Sequence, residues 1–409
     1  MAFPSGLRAL NHRDFRLFFT GQLISLIGTW MQSVGQSWLV LELTNSPFKL
    51  GVIGTLQFGP MLCFSFVAGA IADRVPKRRL IISTQTALML QAFVLSALAW
   101  TGHVQYWHVA VLACLYGFAT TLDMPTRQSF IVEMVGKDDL MNAIALNSAM
   151  FNGARIVGPA AAGLLVARYG VAPAFLLNGV SFLAVIIALF GMQAEGLPHP
   201  RTGDSVVQDI LAGVRYALGT PLVALILGLL LFVSLFVVNH NVLVPLLARD
   251  VLHEGAQGFG FLMASLGLGA VAGALALAVL GSRRPRLVVL IGAAILSAAT
   301  VLAVSVLRRF WPAAIALGLV GFSQIVFLAS CNSTLQATVP DRLRGRLMSI
   351  YAFVFAGMTP IGSFFAGSMA QVFGVSATFA AGGGLGLMFV LALTLWWRRG
   401  PGRESEVLS

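Results

Sequence analysis

The sequence predicts an all-α membrane protein, with twelve transmembrane helices in two pseudo-symmetric six-helix bundles and both termini in the cytoplasm. Three observations predict this fold class. The 409-residue chain is 58% apolar and only 10% charged, whereas soluble domains are about 25% charged. Its apolar runs are about 20 residues long, which is enough to cross about 30 Å of hydrocarbon as a helix. Its basic residues are concentrated in alternate gaps between these runs.

Twelve apolar segments can be traced along the chain. A large β-barrel is the alternative, but its strands would alternate apolar and polar residues in segments of about ten. Segments such as residues 288–307 show no alternation, so helices are favoured. The predicted spans are 15–41, 50–72, 80–101, 106–124, 141–167, 172–192, 220–247, 257–280, 287–307, 311–336, 345–372 and 376–397.

The basic residues predict the orientation. Of 26 lysines and arginines, 20 fall in alternate gaps, five fall in the other gaps, and only Arg155 lies deep inside a segment. Because translocating basic loops is unfavourable, the gaps that hold the 20 are expected in the cytoplasm. The net charge of +11 follows from this asymmetry, so we expect no nucleic-acid partner.

A polar interruption divides the chain into three predicted parts. Residues 1–192 form an N-terminal bundle, 193–216 a cytoplasmic linker and 217–409 a C-terminal bundle. Glycines recur 204 residues apart in both halves, as in Gly69 with Gly273 and Gly158 with Gly362. Parallel six-helix repeats of this kind are a known plan of secondary transporters.

Polar stripes indicate where a substrate could bind. In the first span Gln22, Ser25, Thr29, Gln32 and Gln36 lie on one helical face. Amides that face lipid are costly, so the stripe should face protein or a water-filled cavity. We expect it to line a substrate cavity; hydrogen bonding from helix to helix is the alternative.

The fifth span contributes a cation to the same predicted cavity. Ser148, Asn152 and Arg155 share a face, and a cation at this depth is costly unless it is paired or hydrated. Arg155 is therefore either an anion-attracting or conformation-sensing charge, or a structural arginine bonded to carbonyls and amides. Weaker polar faces complete the predicted cavity: Ser234 with Asn241 in the seventh span, and Ser323 with Ser330 in the tenth.

Small residues predict helix packing and hinges. Gly158, Pro159 and Gly163 in the fifth span, and Gly362 and Gly367 in the eleventh, allow close helix approach and a local bend.

The loop after the second span, Gly69–Arg79 (GAIADRVPKRR), is the most specific motif. Asp73 can accept bonds from a helix N-terminus. Arg74 and Arg78 can pair with a carboxylate such as Asp123. Such contacts would form a conformational latch; a basic loop that only sets topology is the alternative.

This loop resembles the signature between the second and third helices of the major facilitator superfamily. The family usually has glycine where this chain has Pro76, and the counterpart turn at Arg283–Arg286 has no acid. The segments DMPTRQ, LNS, ARIVGPAAAG, LVPLLARD and PDRLRGR look like the enterobactin-exporter-like branch; they occupy residues 123–128, 146–148, 154–163, 243–250 and 340–346.

The resemblance implies the major facilitator fold and a monomeric exporter of siderophores or drug-like molecules in a bacterial cytoplasmic membrane, generally driven by protons. It also implies that Gly69, Asp73, Arg74, Arg78 and Asp123 belong to the latch, and that Arg155, Gly158 and Pro159 belong to the fifth-helix signature. Near the middle of the spans no carboxylate is evident in the sequence as proton carrier.

Alternative functions remain open. A flippase for lysolipids or other amphiphiles would have the same fold and apolar, Phe-rich walls. A membrane-embedded enzyme is disfavoured, because the sequence shows neither a cluster with metal-ligand spacing nor a phosphate-binding loop. We therefore expect no cofactor or metal. We expect the protein to be embedded in the lipid bilayer and to bind a small-molecule substrate and protons.

Overall fold

The fold was analysed in a computed structural model that describes residues 4–198, 206–280 and 287–400; within these ranges the chain is helical and has no strand. The predicted basic turn Arg283–Arg286 lies outside the described residues. The N-terminal part comprises a 3₁₀ helix (Ser5–Asn11), α1 (Arg13–Thr44), α2 (Pro47–Arg74), α3 (Lys77–Trp100), α4 (Tyr106–Val135), α5 (Leu140–Tyr169) and α6 (Ala172–Phe190).

The rest of the chain is also helical, with one break. It comprises α7 (Val206–Gly219), α8 (Pro221–Phe236), α9 (His240–Leu246), a π-helical turn (Leu247–Val251), α10 (Ala256–Leu280), α11 (Leu287–Val304), α12 (Phe310–Thr338), α13 (Asp341–Phe373) and α14 (Val375–Arg399).

Many of these helices are suited to a bilayer. Over the described ranges, ten helical segments are long and apolar enough to cross a membrane. There are eleven if α2, which bends by 66° between Ser65 and Val67, counts as one span. The polar helix α1 is not among them, although its 32 residues are long enough. An all-helical membrane protein is therefore confirmed, whereas twelve spans and cytoplasmic termini stay predictions.

The helices cluster into two compact units. The first consists of Met1–Arg201 with Glu254–Ala264, and the second of Thr202–His253 with Ser265–Ser409. In the first unit α1 packs against α5 and α6, α2 against α4, and α3 against α4 and α6. In the second unit α11 packs against α12 and α14, and α8 against α13 and α14. Large apolar side chains such as Val279, Val288 and Ile315 stay exposed, as expected for helices that face lipid.

Local sequence signals explain where the helices begin and end. The Ser46 side chain caps α2 by accepting a hydrogen bond from the Lys49 amide at 3.3 Å, and Pro47 is the first helical residue. Gly170 ends α5 with a φ of +76°, a conformation that glycine adopts without strain.

The predicted seventh span is broken in its middle. Asn239 has φ −119° and ψ 34°, so helical geometry stops there and resumes at His240. The Asn239 side chain occupies the Leu235 carbonyl at 2.8 Å, which is the acceptor that the Asn239 amide would use in a continuous helix. The prediction that Ser234 and Asn241 share a face assumed a continuous helix, and the break removes that basis.

A polar cluster connects the N-terminal 3₁₀ helix to the start of α5. His12 Nε2 lies 2.8 Å from Asp139 Oδ2, and Arg8 Nε donates to Asp139 Oδ1. The hydrogen bond from His12, followed by that from Arg8, holds the pKa of Asp139 below its usual value.

Candidate functional site

Three polar residues of α1, α3 and α6 bond to one another inside the first unit. Gln32 Nε2 donates to Gln91 Oε1 at 2.9 Å, and Asn178 Nδ2 donates to Gln32 Oε1 at 2.7 Å. All three residues are buried. Gly28 permits this approach, since a Cβ atom there would lie 2.5 Å from Ser181 Oγ.

The rest of the α1 stripe is placed in the same way. Gln36 Nε2 donates to Gln57 Oε1 of α2 at 3.2 Å, and Gln22 Oε1 accepts from Arg127 Nη1 of α4. Ser25 is also buried, and Thr29 is half-buried. For the three glutamines this geometry favours hydrogen bonding from helix to helix over the lining of a substrate cavity.

An ion pair inside α4 joins three helices of the first unit. Asp123 Oδ2 pairs with Arg127 Nη2, four residues later in the same helix. Asp123 Oδ1 accepts from Thr84 Oγ1 at 2.8 Å and from Gln85 Nε2 at 3.0 Å, both in α3. With Gln22 of α1 bonded to Arg127, this cluster, called the α4 ion-pair network below, connects α1, α3 and α4.

This geometry corrects the predicted pairing of Asp123 with Arg74 or Arg78. The sequence analysis ended the fourth span at residue 124 and placed Arg127 in a cytoplasmic gap, but α4 continues to Val135. Arg127 is therefore one helical turn from Asp123 and becomes its partner. Arg78 Nη2 instead donates to the Phe190 carbonyl at 3.0 Å. Asp123 and Arg127 are four residues apart, a spacing that brings two side chains together on a helix. This spacing was the signal that could have identified the pair from the sequence.

The basic loop is held by a residue that the sequence analysis did not select. Lys77 Nζ pairs with Glu133 Oε1 of α4 at 2.7 Å and donates to the Leu197 carbonyl at 3.0 Å. Asp73 and Arg74 make no ion pair with any of the described residues. At Gly69 a Cβ atom would meet nothing within 4 Å, so close packing does not require glycine there.

Arg155 lies against an aromatic ring. Its guanidinium carbon is 5.8 Å from the centroid of the Trp30 ring of α1, a cation–π distance. The Trp30 ring also packs edge-on against Phe151, with centroids 5.8 Å apart. Arg155 Nε is buried and has no hydrogen-bond partner among residues 4–198, 206–280 and 287–400. Trp30 was not foreseen, because the polar pattern of α1 does not include it.

The other predicted side chains of α5 differ in their surroundings. Asn152 is buried and its Nδ2 donates to the Ser148 carbonyl of its own helix at 2.9 Å, whereas the side chain of Ser148 is exposed. Gly158 packs against α1, since a Cβ atom there would lie 2.5 Å from Trp30 Cβ. Pro159 is buried next to it. A Cβ atom at Gly163 would lie 3.0 Å from the Ala256 carbonyl, which belongs to the same unit.

In the second unit, the break between α8 and α9 brings polar side chains together. His240 Nε2 lies 2.8 Å from Gln324 Oε1 of α12, and Asn239 Nδ2 donates to the Leu235 carbonyl at 2.8 Å. Gly362 of α13 makes room, because a Cβ atom there would lie 2.5 Å from Asn239 Oδ1. These residues are called the α8–α9 break cluster below.

The predicted polar residues of the second unit are placed differently. Ser323 is buried and its hydroxyl donates to the Leu319 carbonyl at 2.8 Å. Ser330 and Ser234 are also buried, whereas Asn241 is half-buried. Gly367 is buried in α13. The Ser323 hydroxyl can face the interior of a helix bundle because it bonds to the carbonyl one turn earlier, whereas Ser234 Oγ has no hydrogen-bond partner among the described residues.

A cavity of about 700 Å³, largely open to its surroundings, lies in the second unit between α12 and α13. This volume is within the usual range for sites that bind drug-sized molecules. Its polar lining consists of Asn332, Ser333, Gln336, Arg344 and Tyr351. Four aliphatic side chains of α12 form the remainder, so the cavity is amphipathic. Ser323 and Ser330, the α12 residues that were predicted to line a substrate cavity, lie on a different face of α12 from this lining.

Comparisons with known proteins agree over most of the chain. A family model described as "Transmembrane secretion effector" matches residues 4–407. The enterobactin exporter EntS of Escherichia coli O1:K1 is 28% identical over 393 residues, 94% of this chain and 92% of that protein. The multidrug efflux pump Tap of Mycolicibacterium fortuitum is 26% identical over 363 residues, 87% of this chain and 88% of the pump.

The likeness extends to solved structures. A POT family transporter, crystallised with a thioalcohol-conjugated peptide, superposes with a TM-score of 0.76 at 10% identity, covering 95% of this chain and 96% of that one. At this identity the likeness concerns the fold alone.

Proposed function

Because the chain belongs to the transmembrane secretion effector family of major facilitator transporters, we propose that it exports small amphipathic molecules, siderophore or drug-like, by alternating access and proton antiport. The predicted family is confirmed, and with it a multi-pass membrane transporter rather than an enzyme. The proposal further places the protein as a monomer in the cytoplasmic membrane of a bacterium, with twelve spans and both termini inside.

The family match over residues 4–407 is the observation that carries the proposal. Relatives that cover about nine-tenths of the chain are named for export or efflux, one of enterobactin and one of several drugs. These cargoes differ in chemistry but share outward movement across a membrane. Outward transport is therefore better supported than any one substrate.

Each unit, taken by itself, offers side chains that could contact a substrate. In the first unit, Arg155 on Trp30 and the exposed Ser148 could receive the polar part of a substrate. In the second, the amphipathic cavity between α12 and α13 could hold an apolar body and a polar end together. The buried glutamines of α1 would then hold the first unit together and would not contact substrate.

The latch remains part of the proposal, with additional members. Asp123 is paired with Arg127, and Lys77 of the basic loop is paired with Glu133. Both pairs involve α4, so they could hold its inner part during one conformation and rearrange in the other. Asp73, Arg74 and Arg78 would act in the alternative conformation. A ligand drives such a transition only through its different affinities for the two states.

Everted membrane vesicles test the proposed function. Vesicles containing the chain should accumulate enterobactin or ethidium when a proton gradient is imposed, and a protonophore should abolish the uptake. Vesicles without the chain provide the control. Uptake that persists after the gradient collapses would remove proton antiport. If neither probe is taken up but a fluorescent lysolipid is translocated, the flippase alternative would replace export.

A further inference from the structure

The α8–α9 break cluster contains buried polar atoms without partners. Asn239 is 4% exposed and Gln324 is 5% exposed. Throughout the part of the chain that the structure describes, Asn239 Oδ1 and Gln324 Nε2 find no hydrogen-bond partner. Buried polar atoms normally have one, because leaving them unbonded is costly. The residue before His240 therefore has an available acceptor, and its hydrogen-bond partner Gln324 has an available donor.

The backbone at this point is also unusual. The chain stops one helix at Phe236 and starts another at His240, in the middle of a segment that is otherwise long and apolar enough to cross a membrane. Irregular backbone at membrane depth is tolerated where it is buried in protein or lines a water-filled cavity. Transporters use such discontinuous helices to coordinate ions at the midplane.

Histidine is the side chain whose ordinary pKa, about 6.5, allows it to gain and lose a proton near neutral pH. His240 is joined to Gln324 by a hydrogen bond of 2.8 Å that the amide oxygen accepts when Nε2 carries the proton. A protonated ring keeps this bond and makes it charge-assisted, while its second nitrogen also becomes a donor. Gain and loss of a proton therefore change what the cluster can bind without breaking its contact with α12.

Other ionisable groups on the neighbouring elements are distant along their helices. The π-helical turn holds Arg249 and Asp250, which pair with each other at 2.6 Å. On α12, Cys331 is about 10 Å from Gln324 at 1.5 Å per residue. On α13, Gly362 is the residue that meets Asn239, and Tyr351 is about 16 Å from it along the helix. The charged residues of α13 are farther from Gly362: Arg344 and Arg346 by about 24–27 Å, and Asp341 and Arg342 by about 30 Å or more. On α14, Arg398 and Arg399 are about 24 Å beyond Gly382, which contacts Phe236.

We propose that His240 carries the proton of the transport cycle. The proposal rests on the proton antiport proposed above. A proton from water on the outer side binds a ring nitrogen of neutral His240, and the imidazolium later returns it to water on the cytoplasmic side. No other bond forms or breaks. Gln324, which is bonded to the ring, is a positioning residue.

The test uses the full-length chain in proteoliposomes that contain a pH-sensitive dye, with ethidium as the transported probe. His240→Gln should reduce ethidium-dependent proton flux at least tenfold while ethidium counterflow without a gradient continues. His103→Gln, in the exposed turn after α3, is the matched control and should move protons like the wild type. His240→Glu should restore proton flux with its pH optimum shifted to a lower pH.

Each result separates the alternatives. Wild-type proton flux in His240→Gln overturns the proposal. Loss of counterflow in both His240→Gln and His240→Glu also overturns it, because His240 would then be a structural residue. A wild-type protein that exchanges ethidium without moving protons removes proton antiport itself.

Discussion

The α4 ion-pair network of the first unit and the α8–α9 break cluster of the second are both buried and polar, but they are completed differently. In the first, Asp123 and Arg127 neutralise each other, and both carboxylate oxygens of Asp123 accept bonds. In the second, the contact is a hydrogen bond between His240 and the amide of Gln324. Buried side-chain atoms without a hydrogen-bond partner among the described residues occur in both: Gln22 Nε2, Gln85 Oε1 and Arg127 Nε in the first, and Asn239 Oδ1 and Gln324 Nε2 in the second.

This difference indicates different roles. A paired charge that is bonded to two further helices resists change, because separating the ions leaves a buried charge without compensation. The bond between His240 and Gln324 is not an ion pair, and an amide oxygen also accepts from a protonated ring, so gain of a proton keeps this contact. We therefore expect the first network to maintain the structure of its unit and the second cluster to respond to protons. The predictions below test this contrast in order of decreasing expected effect on stability.

The largest effect is expected from removing one member of the α4 ion pair. Asp123→Ala or Arg127→Ala leaves a buried charge unpaired and should cost about 3–5 kcal/mol. Thermal unfolding of the purified protein in detergent measures the loss. The double variant should lose less than the sum of the single losses, since neither charge is then stranded.

The partly exposed pair Arg249–Asp250, which lies nearer to solvent than Asp123, is the control, and Asp250→Ala should cost no more than about 1 kcal/mol. Equal, small losses at both pairs would show that the α4 ion-pair network does not hold the first unit together.

A smaller loss is expected from Gly362→Ala, which changes the packing of the α8–α9 break cluster without altering any charge. The new methyl carbon would lie 2.5 Å from Asn239 Oδ1 and 2.8 Å from the Leu235 carbonyl. Overpacking of this kind costs about 1–3 kcal/mol. Gly292→Ala in α11 is the control, since a Cβ atom there meets nothing within 4 Å. If the two variants unfold at the same temperature, close packing at the break is refuted.

Arg155→Ala should have a modest effect on stability and a large effect on transport. Its contact with Trp30 contributes about 0.5–2 kcal/mol, so expression and membrane insertion should persist. Transport in everted vesicles should fall below detection, because the proposed substrate site loses its cation. Arg155→Lys keeps the charge and should retain part of the activity. Wild-type transport by Arg155→Ala would reduce Arg155 to a structural residue.

The smallest effect concerns the cluster of Arg8, His12 and Asp139, where the pKa of Asp139 is lowered. A lowered carboxylate pKa contributes stability above the unfolded pKa, about 3.9, and this contribution is lost as pH falls through the folded value. The protection factors for amide hydrogen exchange in residues 5–12, which correct for the intrinsic pH dependence of exchange, should therefore fall below about pH 4 and change little between pH 5 and 7. Asp139→Asn should remove that acid-dependent step. An unchanged step in this variant would assign it to another group.

The presence of a helix could be predicted from the sequence better than the residue at which that helix ends. The predicted fourth span ended at residue 124 because the residues that follow are more polar, yet α4 continues to Val135. The end of a helix that extends beyond the bilayer, or that packs on other parts of the protein, does not need apolar residues. Hydropathy therefore does not mark where such a helix ends. For the same reason Arg127 was assigned to a loop, and the partner of Asp123 was missed.

The polar residues show a second limit. Periodicity placed Gln22, Gln32 and Gln36 on one face of α1, and the structure shows each of them bonded to another helix. Periodicity also assumed that α8 and α9 were continuous, so it missed the approach of His240 to Gln324. Residues 237–239 include neither proline nor glycine, the usual signals of an interrupted helix, so the break could not be predicted from the sequence.

The sequence by itself determined that the chain is a helical membrane protein. Segment length, apolar composition and the sorting of basic residues are requirements that the lipid bilayer places on each segment separately, so they can be recognised without knowing how the segments pack. The sequence also determined the family, through motifs spread over nearly the whole chain. Only the tertiary structure decided which polar groups bond to one another. A hydrogen bond needs atoms about 3 Å apart, and distances between helices depend on close approaches at single residues such as Gly28 and Gly362.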